Sequence, residues 1–196
     1  MRKTTKAPSL VFTCLLALLC VLRAWPDEPN PEGPVEAPSR ICSWSDMEAS
    51  IAKTFHVQSR GIQCFGVYDS VYILPSSDAV ARMEKFRKRY MDGGPFLDEA
   101  KDCDDFAREA TYFAKRWSYR HFTGVPATVA FGSAFVKVEG HYPLFSSRTW
   151  YEGYHVLNVY RRNDGQWIFF EPQTGKSEPV ESLIYEGVIT VLRIEM

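Results

Sequence analysis

Helical spacing in the first half of the chain and strand patterning in the second predict an α+β fold, with helices packed on a mostly antiparallel sheet. Three observations carry this. Met47, Ile51 and Phe55 recur at intervals of four, and Phe106, Ala110, Phe113, Ala114 and Trp117 also keep helical spacing. From Val125 onward, β-branched and aromatic residues gather in short runs separated by turn residues. Length and composition suit one domain with a real core: 196 residues, 45% hydrophobic, 14% aromatic and 24% charged. A formal net charge of −1, from 23 basic and 24 acidic residues, argues against a nucleic-acid partner.

The N-terminus reads as an export segment. Arg2, Lys3 and Lys6 precede an apolar run from Leu10 to Leu22, which is shorter than the roughly 20 residues a membrane-spanning helix needs. Residues 1–24 are expected to be a signal peptide cleaved after Ala24, or an uncleaved anchor, since Leu22 and Arg23 are poor cleavage-site neighbours. A lipid anchor at Cys20 fits less well, because Leu19 stands where a small residue is wanted. Membrane contact is expected only through such an anchor, and the location is secreted, periplasmic or cell-surface. Residues 1–24 carry four basic residues and no acid, so the remainder has a net charge of −5. Residues 25–40 hold Pro26, Pro29, Pro31, Pro34 and Pro38 among acids, an extended tether. The folded domain is expected over 41–196.

Within the domain, Ser45-Asp46-Met47-Glu48 has a capping-box pattern and predicts a helix over Asp46–Phe55. Ile62 to Leu74 reads as one or two short strands. Ser77 opens a second helix reaching about Met91, with Val80, Met83 and Phe86 inward and Lys85, Arg87, Lys88 and Arg89 on a solvated face. Asp92-Gly93-Gly94-Pro95 stops it. A third helix is expected from Cys103 to about Trp117. Strands follow around Val129–Val138, with a bulge at Gly132, then over Tyr154–Tyr160, Trp167–Phe170 and Val188–Ile194, with a short helix or turn between Ser177 and Tyr185. Cys42 and Cys64 either pair as a disulfide or pack as reduced thiols.

Cys103 carries the chemistry. It opens its helix in Lys101-Asp102-Cys103-Asp104-Asp105-Phe106, and it stands three positions before Phe106 on the inward stripe. A thiolate at a helix N-terminus is stabilised by the helix dipole. The base is read from the Tyr154–Phe170 hairpin. Asn163-Asp164-Gly165 suits a three-residue loop, a type I turn closed by Gly in the left-handed region. Arg162 then faces Gln166, Leu157 faces Glu171, and His155 becomes a diagonal neighbour of Glu171 on the same face. A two-residue Asp-Gly turn would put His155 and Glu171 on opposite faces. Leu157 and Val159 share the face of His155 and would floor the site. Glu171, among Trp167, Phe169, Phe170 and Pro172, needs a buried partner, and His155 supplies it. Cys103, His155 and Glu171 are therefore the candidate nucleophile, base and orienting carboxylate. His56, His121 and His141 lack comparable partners, and no zinc-type cysteine spacing is present.

This Cys-His-Glu order, with Cys-Asp-Asp at a helix start and Glu-Pro-Gln after a hairpin, resembles the papain-like cysteine peptidases. Within them it is most similar to the C-terminal peptidase domain of the fungal agglutinin chimerolectins. The pattern also looks like the transglutaminase-like superfamily, which shares the core and the order. The resemblance covers about Asp69 to Met196. It implies a papain-like or transglutaminase-like fold, a peptide or isopeptide amide as substrate, and calcium near the site, held by Asp104, Asp105 and Gln173. Helix capping and dipole compensation account equally well for Asp102, Asp104 and Asp105 without a metal. Papain-like enzymes place a Gln shortly before the nucleophile, whereas Asp92–Asp102 contains neither Gln nor Asn. Gln63 or Tyr68 would have to supply that oxyanion donor. The expected activity is an exported thiol hydrolase acting on a protein or peptide. The alternatives are a transamidase or cell-wall amide hydrolase on the same residues, and a catalytically silent, surface-tethered binding domain.

Overall fold

Strand β1 (Ile41–Ser43) leads directly into helix α1 (Trp44–Thr54) in a computed structural model that describes residues 40–55, 63–64, 69–90, 102–122, 127–145 and 150–196. Residues 1–39, which hold the expected export segment and all of the expected tether except Arg40, lie outside the described residues. Helix α1 starts two residues before the predicted position, because Ser43 and not Ser45 is its cap. Ser43 Oγ accepts from the Asp46 N–H at 3.2 Å and donates to the Asp46 carboxylate at 2.7 Å. The pattern Ser-x-x-acid occurs twice in succession, and pairing of β1 with β3 (Val71–Ile73) leaves Ser43 in extended geometry, ready to cap. Met47, Ile51 and Phe55 are buried, as their spacing requires.

Helix α2 (Ser77–Tyr90) departs from prediction at Arg87, which is buried rather than on a solvated face. Its guanidinium hydrogen-bonds the Glu84 carboxylate at 2.6 and 2.5 Å and lies 5.6 Å from the centre of the Phe170 ring. Position 87 continues the inward stripe of Val80 and Met83, and a long stem with a paired head can occupy it. Helix α3 (Cys103–His121) runs past Trp117 by one turn, where the His121 ring stacks on Trp117 at 4.1 Å.

The remaining elements are β2 (Gln63–Cys64), β4 (Thr128–Val129), β5 (Phe131–His141), β6 (Trp150–Arg161), β7 (Trp167–Glu171), β8 (Lys176–Pro179), helix α4 (Val180–Tyr185) and β9 (Ile189–Glu195). They form a three-stranded sheet, β1-β3-β4, and a six-stranded sheet, β2-β9-β5-β6-β7-β8. The larger sheet is antiparallel except where β2 meets β9. The fold is thus mixed helix and antiparallel sheet. The bulge falls between Phe135 and Val136 against β9, not at Gly132. Gly132 serves a different need: a Cβ there would sit 1.9 Å from the Glu195 carbonyl oxygen, so only glycine allows β9 so close.

Alternation along β6 and β7 divides the apolar residues between two clusters. Leu157, Val159, Trp167 and Phe169 pack with Met47, Ile51 and Phe55 of the α1 segment, and Tyr160, Ile168 and Phe170 pack with Met83 of α2 and Ala110, Ala114 and Trp117 of α3. Cys42 is a buried free thiol that accepts from Arg161 Nη1 at 3.4 Å. Burial pushes it up, against the pull of Arg161. The Cys64 side chain lies outside the described residues.

Candidate active site

The helix carrying Cys103 begins where its cap dictates. Asp102 is extended (φ −101°, ψ −170°), and its Oδ1 accepts from the N–H groups of Asp104 at 3.2 Å and Asp105 at 3.4 Å. Cys103 is therefore the first helical residue, half-buried, with its own N–H among the groups that have no partner within the helix.

The hairpin adopts the three-residue turn. Arg162 N donates to Gln166 O and Gly165 N to Arg162 O, both at 2.9 Å, and Gly165 takes φ +91°. Asp164 closes the loop by accepting from the Gln166 N–H at 3.0 Å. Asn158 consequently pairs with Phe170 and Val159 with Phe169, which puts His155 and Glu171 on one face. The contact forms: His155 Nε2 donates to Glu171 Oε2 at 2.6 Å, with the two residues 3% and 0% exposed. The second carboxylate oxygen accepts from the Gln173 N–H at 3.1 Å.

Cys103 hydrogen-bonds the same imidazole. Burial alone would pull the His155 pKa down. The hydrogen bond from Cys103, with the hydrogen bond and charge of Glu171, overcomes this and raises it to about 9. The arrangement therefore favours the protonated form of the His155 ring.

Three aromatic residues absent from the sequence-based site complete its wall. Phe145, Tyr142 and Tyr151 set their rings edge-on to His155, at 5.3, 5.8 and 6.4 Å between centres. Tyr142 also donates to Glu171 Oε2 at 3.4 Å. Burial pushes both phenols up, with Glu171 adding to the effect on Tyr142 and Cys103 to that on Tyr151, so both remain donors. Strand parity alone places Tyr151 on the His155 face, a signal available in the sequence. Tyr142 and Phe145 follow the end of β5, where no periodicity points to them. An open groove of about 590 Å³ runs between α3 and the sheet, past Asp104, Arg108, Tyr112, Phe135 and Arg193, on the Val156 face of β6 and not on the His155 face.

The acidic residues at the start of α3 do gather: carboxylate oxygens of Asp102, Asp104 and Asp105 lie within 4.8 Å of one another. Each is already partnered. Asp102 caps the helix, and Arg108 pairs with Asp104 at 2.7 Å and Asp105 at 3.0 Å. A hydrogen bond between Asp104 and Asp102 raises the former and lowers the latter. Helix capping and pairing with Arg108 account for the cluster without a cation. Gln173 enters through its backbone, on Glu171. Of the oxyanion candidates, Tyr68 and the Gln63 side chain lie outside the described residues.

No family profile and no curated protein sequence matches the chain. Solved structures do. The fold is similar to that of a fungal lectin. A structure described as the PSL1a–E64 complex aligns with a TM-score of 0.59 at 17% identity, over 80% of this chain and 50% of that one. Polyporus squamosus lectin bound to a human-type influenza-binding epitope aligns with a TM-score of 0.56, also at 17% identity, over 80% of this chain and 49% of that one. The likeness is one of fold, and the chain spans about half the length of the structures it matches.

Proposed function

We propose that this domain is an exported cysteine hydrolase of papain-like type that cleaves a peptide or isopeptide amide. One observation carries the reading: His155 is buried between Glu171, at 2.6 Å, and the thiol that opens α3. Cys103, as thiolate, attacks the carbonyl carbon, and a C–S bond forms while the oxygen takes the charge. The Cys103 N–H is one donor for that oxygen. The imidazolium gives its proton to the nitrogen, the C–N bond breaks and the amine leaves. Water, deprotonated by His155, then cleaves the thioester, releasing the acid and restoring the thiol–imidazole pair. Glu171 holds the ring throughout and stabilises its charge. An amine in place of water would make the same acyl-enzyme a transamidase, and a supplied amine acceptor separates the two by product mass.

A second reading rests on the lectin likeness. The Polyporus protein is described with a bound glycan epitope, and a glycan-binding domain on this fold needs no reactive thiol. The other neighbour is described as a complex with E64. Both readings meet one experiment: rates of Cys103 alkylation by iodoacetamide and E64 against pH, read by mass. The hydrolase reading expects labelling well below pH 8, slowed about a hundredfold or more at pH 6 by His155→Ala. Slow labelling that is equal in both proteins overturns it and favours the binding domain.

A further inference from the structure

We propose that Asn158 is a positioning residue for the thiol–imidazole pair. It locks the helix that begins at Cys103 onto the strand that carries His155, and so fixes how far the sulfur lies from the ring. The proposal rests on the thiol-hydrolase reading above.

Asn158 is fully buried on β6, three residues past His155 and on the opposite face of the strand. Its side-chain nitrogen lies 2.9 Å from Ala107 O, 3.0 Å from Thr111 Oγ1 and 3.0 Å from Gly132 O. Ala107 is one helical turn after Cys103, Thr111 is the next turn, and Gly132 belongs to β5. One amide thus ties the second and third turns of α3 to two strands of the sheet. Its orientation is dictated by chemistry: two of the three partners are carbonyl oxygens, which only accept, so the nitrogen must face them. Ala107 and Ala110, both buried, keep that helix face small enough for the amide to reach.

The other end of the amide is informative. Asn158 Oδ1 is buried and accepts no hydrogen bond among the described residues. An apolar side chain of similar size would fill the space without that penalty. Packing alone does not account for an amide here, whereas placement does. Cys103 stands one turn beyond the clamp, so any slip of α3 along β6 carries the sulfur away from the His155 ring. Alignment errors of about an ångström at a reacting centre cost up to about a hundredfold in rate.

The test compares wild type with Asn158→Ala, Asn158→Asp and Thr111→Val in the full chain. Readouts are circular dichroism, melting temperature and the pH profile of Cys103 alkylation by iodoacetamide. A folded Asn158 variant is expected to label about tenfold more slowly at pH 6, with its profile displaced toward that of an ordinary thiol, and Thr111→Val about twofold more slowly. A folded Asn158 variant that melts lower but keeps the wild-type profile overturns the proposal, because a purely structural role moves the melt and not the profile. If neither position-158 variant folds, Thr111→Val decides, and an unmoved profile there overturns it. Should wild type itself label like an ordinary thiol, the hydrolase reading fails first, and the positioning role falls with it.

Discussion

On one face of the six-stranded sheet, His155 and Glu171 are enclosed by Tyr142, Leu157, Val159, Trp167 and Phe169; on the other, Asn158 and Arg87 are enclosed by Phe131, Tyr160, Ile168 and Phe170. Both faces bury polar groups in apolar walls, but with opposite consequences. The first holds an ionisable pair whose members need each other, and one of them also faces a thiol. The second holds a neutral amide and a guanidinium already matched to Glu84, and their hydrogen bonds serve to hold helices. The first face is therefore sensitive to proton activity, and the second to shape. Chemistry and scaffold stay separate because successive residues of one strand point to opposite sides.

The largest break in this contrast is expected from Glu171→Ala. It strands an imidazolium in a site 3% exposed and removes the acceptor of Tyr142, at a cost of about 4 kcal/mol in urea unfolding. Glu171→Gln, which keeps the shape and one acceptor, should cost visibly less. Equal small losses for both would mean that the pair is not ionised when folded.

The next effect is a pH slope confined to the His155 face. Its pKa is about 9 in the folded chain against an ordinary 6.5, so the stabilisation is fully present below pH 6.5 and is lost as pH rises through 9. The shift corresponds to on the order of 3 kcal/mol. Unfolding midpoints at pH 6 and pH 9.5 should differ accordingly in wild type, and His155→Asn should flatten the difference. A slope that survives this substitution would assign it to other groups.

The smallest effect is expected at the acidic start of α3. Its carboxylates are satisfied by the helix N–H groups and by Arg108, so chelation should leave the melting temperature and Cys103 labelling unchanged. A fall in either would show a cation bound there and would make the two carboxylate sites of the molecule more alike.

What was legible in the sequence was local. The contact between His155 and Glu171 depends on one turn, and Asn163-Asp164-Gly165 has the residues of a three-residue loop, so the parity of the fifteen intervening positions followed from chemistry at three of them. Asp102 as a cap, and Cys103 after it, are likewise local. Where two local signals competed, the sequence could not choose: Ser43 and Ser45 both begin a capping pattern, and strand pairing of Ile41–Ser43 with Val71–Ile73 chose Ser43. Arg87 reads as solvated by its charge and as buried by its spacing, and the Phe170 ring beneath it settled the matter.

The amino-acid sequence by itself determined the helix and strand types, the turn that puts an imidazole beside a carboxylate, and the helix start that carries the thiol. Only the tertiary structure decided that Asn158 meets Ala107 across 51 residues and Tyr142 meets Glu171 across 29. The reason is physical. Periodicity and turn chemistry act over one or two turns of chain, whereas these contacts depend on how two surfaces interlock, and that is a property of the whole packed core.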